Sequence, residues 1–123
     1  MNNDKNEHIN FKYIEDFVEI AGIAPMNTSI DLFKGSVEKY FSACADFFAK
    51  GLFEDAGKEL HKIKGAASSI GLANIMTLAK KVELDLLAQR ENFNYEPEIK
   101  VLKDELAIDL VALEEYVQAR MKK

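Results

Sequence analysis

The chain has 123 residues, 48% hydrophobic and 30% charged, a size and balance that fit one soluble globular domain with its own core. Its formal net charge of −5 argues against nucleic acid as a partner, because an acidic surface repels phosphate backbones. It has no apolar run of about 18 residues and no apolar stretch near Met1, which argues against a membrane span or a signal peptide and predicts a cytoplasmic protein.

The polar residues 1–9 predict a disordered tail, with His8 inert in it, ahead of one folded domain over residues 10–121. From residue 10 onward apolar residues recur in steps of three and four, and no alternating run suggests a strand. The first helix is expected from Asn10 to Ala21, with Phe11, Ile14, Phe17 and Val18 inward. Gly22 should end it and Pro25 should prevent its resumption. Asn27, Thr28 and Ser29 offer N-cap oxygens for a second helix over Ile30 to Lys50, whose seam is Ile30, Phe33, Val37, Tyr40, Cys44 and Phe47. Cys44, the single cysteine, has no internal partner and reads as a buried thiol.

The third helix, Phe53 to Ile70, carries Ala56, Leu60, Ile63, Ala67 and Ile70 on its inner face and closes at Gly71. The fourth is expected from Asn74 to Gln89, followed by a polar loop over residues 90–97. The fifth runs from Pro97 to Met121 with Ile99, Leu102, Leu106, Leu110, Leu113 and Val117 inward. Pro97 suits the first turn, where a missing amide costs nothing. The expected fold is all-α: an antiparallel up-down four-helix bundle with a short extra N-terminal helix.

The third helix also carries the chemistry. On a helical wheel, Lys64, Gly57, Ser68, His61 and Gly65 lie about 80–180° from the core direction, so they share an outer side. An exposed imidazole is nucleophilic near neutral pH and can take a phosphoryl group. Lys64 stands one turn away as a point charge for phosphoryl oxygens. Gly65 costs about 0.5–1 kcal/mol relative to Ala in mid-helix, so it calls for a reason, and close approach of a partner backbone supplies one. Gly57 keeps the other flank low, Ser68 offers a hydroxyl, and Leu32, Leu72 and Met76 are apolar candidates for docking contacts. Neither His lies in a core seam, so no bundle metal site is expected. No Gly-rich nucleotide loop is present, so autonomous kinase activity is not expected.

His61-x-x-Lys64-Gly65-Ala66-Ala67, followed by Gly71-Leu72 and an acidic residue at Glu83, resembles the histidine-containing phosphotransfer (HPt) domain. The stretch from Phe48 to Ala56 is similar to the junction before that family's active histidine. Leu60 stands where the family often has Ala, and Ala66 and Ala67 where it often has Ser; neither change removes a reacting group. The resemblance implies a phosphohistidine intermediate of a multistep phosphorelay. His61 would accept a phosphoryl group from a receiver-domain aspartate and donate it to a response-regulator aspartate, with Lys64 holding the group and Gly65 admitting the receiver loops. It further implies a monomer without bound cofactor, Mg²⁺ brought by the receiver, and a hybrid sensor histidine kinase upstream. The alternative on the same scaffold is a non-catalytic receiver-binding module, expected to lack His61 or Lys64; both are present.

Overall fold

The computed structural model describes residues 8–122. Among them are five α-helices and no strand: α1 (Phe11–Ala21), α2 (Ile23–Ala49), α3 (Phe53–Ser69), α4 (Ala73–Gln89) and α5 (Tyr95–Met121), with a single 3₁₀ turn, Arg90–Asn92, before α5. Short connections force α2, α3, α4 and α5 to run antiparallel. They close a ring in which α2 packs on α3 and α5, and α4 packs on the same two helices. The core is a continuous apolar column that includes Ile30, Leu60, Ile63, Ile75, Leu86, Leu102 and Leu113. None of the described helices is long and apolar enough to cross a membrane.

Helix α1 is capped by Asn10, whose Oδ1 accepts from the Tyr13 amide at 3.0 Å. It closes one end of the bundle. The Asn10 amide donates to the Gly71 carbonyl at 2.8 Å, and the Tyr13 hydroxyl to the Ser69 carbonyl at 2.9 Å. Arg120, near the end of α5, grips both carboxylate oxygens of Glu15 at 2.8 and 3.1 Å, and Phe11 packs on the Tyr116 ring.

The structure differs from the sequence expectation at five places. Helix α2 begins at Ile23, immediately after Gly22, so Asn27, Thr28 and Ser29 lie inside it and do not cap it. Pro25 is its third residue; the amides of the first turn have no helical acceptor, so a proline there breaks nothing. Pro97 likewise is the third residue of α5, which therefore starts at Tyr95. Within the expected polar loop, Phe93 is buried and joins Phe48, Phe53 and Tyr95 in an aromatic cluster, Phe48 stacking on Tyr95 at 4.6 Å. The buried face of α5 passes through Asp109, not Leu110, which is only half-buried. Finally, His8 and Ile9, assigned to a disordered tail, belong to the folded part: Ile9 is buried, and His8 Nδ1 lies 2.9 Å from Asp109 Oδ1. Residues 1–7 of that expected tail lie outside the described residues.

Candidate functional site

Helix α3 is amphipathic, with Ala56, Leu60, Ile63 and Ala67 fully buried on one side. His61, the next residue after Leu60, is thereby turned outward, and its side chain is 63% exposed. It does not stand alone on the surface. Glu83, reaching across from α4 and only 18% exposed, places Oε1 3.5 Å from His61 Nδ1. That separation is too long for a strong hydrogen bond but close enough for charge to act. A carboxylate beside Nδ1 favours the tautomer that keeps its proton there, which leaves the lone pair on Nε2, the ring nitrogen away from Glu83.

Lys64 sits one turn further on, half-buried, with no carboxylate within ion-pair distance among the described residues. Lys62, adjacent to His61 in sequence, is engaged elsewhere: its Nζ lies 2.9 Å from Glu59 Oε2 and 5.8 Å from the centre of the Tyr40 ring, and this pairing raises its pKa. Lys64 is thus, like the exposed Lys58 one turn before His61, a lysine free to act beside the imidazole. Gly65 is exposed, and a Cβ placed on it would meet nothing within 4 Å. Internal packing therefore does not require glycine at this position. Ser68 is exposed one turn beyond Lys64.

The four remaining candidates divide, two of them buried and two on the surface. Gly57 is buried, and a Cβ there would come within 3.2 Å of Leu87 Cδ2; its role is close packing of α3 on α4, not an open flank. Leu72 is fully buried. Its amide bonds to the Ala67 carbonyl at 2.9 Å, while that of Gly71 bonds to the Ser68 carbonyl at 3.2 Å, the double closure that ends α3. It therefore offers no docking surface. Leu32 is 67% exposed and Met76 is half-buried, so both present apolar surface. The contact of Glu83 with His61 was not readable from spacing, because it depends on the register between two helices 22 positions apart in sequence.

The arrangement is an outward imidazole, a carboxylate beside its Nδ1, a lysine one turn away with no ion-pair partner among the described residues, and an unobstructed strip of helix. Residues 29–119 match the family model described as the Hpt domain. The chain belongs to the Hpt domain family. Its sequence is 28% identical, over 127 aligned positions, to the aerobic respiration control sensor protein ArcB of Escherichia coli K12, and to its counterpart in Shigella flexneri. The match takes in 98% of this chain but only 16% of each of those proteins. Among solved structures, the histidine-containing phosphotransfer domain of E. coli ArcB superposes with a TM-score of 0.79 at 25% identity, covering 94% of this chain and 98% of that one. The all-helical bundle described above is thus the fold of this family, shared with the phosphotransfer domain of ArcB.

Proposed function

We propose that His61 is the phosphoacceptor of this domain and that Nε2 is the reacting atom. The observation that carries this is the exposed imidazole with Glu83 at Nδ1 and the bare backbone of Gly65 one turn away. The Nε2 lone pair attacks the phosphorus of a receiver's aspartyl phosphate. The P–O bond to the aspartyl carboxyl breaks, and the aspartate leaves as a carboxylate. The ring then carries a positive charge, with its proton retained on Nδ1 facing Glu83. Return transfer to a second receiver reverses these steps.

The transition state spreads negative charge over the equatorial oxygens, so positioning and nearby cations do most of the catalysis. Lys64 supplies one such charge from this chain. Mg²⁺ would be held by the receiver's acidic site. The domain would be a monomeric carrier serving receiver domains and a hybrid sensor kinase, without kinase activity of its own, docking with Leu32 and Met76 near the edge of the contact.

A phosphorylated receiver should label the wild-type chain in an acid-labile form, and the His61→Gln variant should take up no label while keeping its helical circular dichroism. Label on the variant would remove His61 from the role. Tight receiver binding by the wild type without any transfer would favour the interaction-module alternative.

A further inference from the structure

A second group of chemically capable side chains lies outside the phosphotransfer face. His8, Glu105 and Asp109 each offer one donor atom, and these atoms all lie within 4.8 Å of one another. His8 comes from the segment before α1, the two carboxylates from successive turns of α5. Asn74, in the first turn of α4, donates through Nδ2 to Glu105 Oε1 and to Asp109 Oδ2, both at 3.0 Å. Along α4, Asn74 is nine residues from Glu83, about 13 Å of helix, so this cluster is separate from His61.

The charge balance of the cluster points to a cation. Asp109 is only 2% exposed and stands in the buried face of α5, where a carboxylate is costly unless compensated. Glu105 lies one turn before it, and like charges at that spacing repel. Among the described residues, no Lys or Arg side chain pairs with either; the group of possible positive charge that faces Asp109 is the His8 ring, with Nδ1 2.9 Å from Oδ1, and it leaves the second carboxylate uncompensated. The Asn74 amide orients both oxygens but carries no net charge. Two carboxylates converging on an imidazole from different parts of the chain form a mixed nitrogen and oxygen set, which suits Zn²⁺ with water as a fourth ligand. Mg²⁺ and Ca²⁺ call for more oxygen donors than are gathered here.

We propose that His8, Glu105 and Asp109 form a binding site for a divalent cation of the zinc class, which clamps His8, just before α1, onto α5. Ligands about 2.0–2.2 Å from such an ion stand roughly 3.4 Å apart, so the present spacing needs only small side-chain adjustments to close around it.

The test is titration of the full chain with Zn²⁺ by calorimetry, in a His61→Gln background so that the phosphoacceptor imidazole cannot contribute. One ion per chain should bind and raise the melting temperature. Co²⁺ in its place should show the visible absorption of a low-coordinate nitrogen and oxygen site. Adding His8→Ala, a change at the edge of the fold, should weaken affinity at least tenfold, and Glu105→Gln should do the same. Absence of binding, affinity unchanged by both substitutions, or equal binding of Mg²⁺ would each overturn the assignment. If His8 serves only as a protonated latch on Asp109, His8→Ala will lower stability while the parent shows no Zn²⁺ uptake, which also overturns it.

Discussion

At the scale of single residues, Gly65 and Gly57 show how two glycines on one helix have different causes. Gly57 is filled by Leu87 from the facing helix, whereas nothing inside the molecule approaches Gly65. Replacing Gly65 by Ala should therefore stabilise the isolated domain by about 0.5–1 kcal/mol, through better helix propensity alone. The same gain is expected for Gly35→Ala in α2, where a Cβ also has open space. Only Gly65→Ala should also slow transfer from a receiver, by tenfold or more, equivalent to about 1.4 kcal/mol. Urea denaturation and rapid-quench transfer assays read the two effects separately. An unaltered transfer rate would mean that the gap beside His61 is not used by the partner. The outward position of His61 and the mid-helix glycine were legible in the sequence because both follow from the period of α3. Gly57 was not, because a wheel knows nothing of which neighbour lies beside its flank, and the side occupied by α4 is fixed only by the packing of the ring.

At the scale of elements, the boundaries that the sequence hid are those set by proline and by cooperation between distant segments. Pro25 reads as a stop and Pro97 as the opening residue of the last helix, yet each sits third in its helix, where it removes no hydrogen bond. The turn between α3 and α4 behaved as expected from Gly71, and its tertiary role adds to its local one. Gly71 has φ of +78°, and a Cβ there would come within 3.0 Å of Ile14 in α1. Gly51, at φ of +75°, has open space around the same position. Ala at Gly51 should cost about 1–2 kcal/mol for its backbone conformation. Ala at Gly71 should cost that amount and roughly 1 kcal/mol more, as α1 is pushed from its seat. Equal losses in chemical denaturation would show that α1 yields without penalty. Asp109 escaped notice because a carboxylate among Leu and Val looks like the polar side of α5, when its partners His8 and Asn74 lie 101 and 35 residues away.

At the scale of the whole molecule, the buried column sets how the domain responds to alkali. Burial pushes the Cys44 thiol up to about 11 from an ordinary value of 9.0, with a hydrogen bond to Tyr95 opposing the shift. The Tyr95 phenol is also shifted upward by its burial. Between about pH 9 and 11 the unfolded chain therefore releases a thiol proton that the native chain retains. Since stability falls with pH wherever the native state binds more protons, unfolding should become easier across that window and be indifferent to this group below it. The loss is on the order of 2 kcal/mol by the top of the range. Urea unfolding across the window should show the slope, and Cys44→Ala should reduce it. A slope unchanged by that substitution would assign the alkaline sensitivity to other groups.

Because α1 lies against the last turns of α5, through Glu15 with Arg120 and Phe11 with Tyr116, the folded chain enters and leaves at one pole of the bundle. His61 is eight residues, about 12 Å, back along α3 from that pole. Any segment joined beyond either end of the described residues would thus meet the bundle at that pole, set back from the His61 flank by that length of helix.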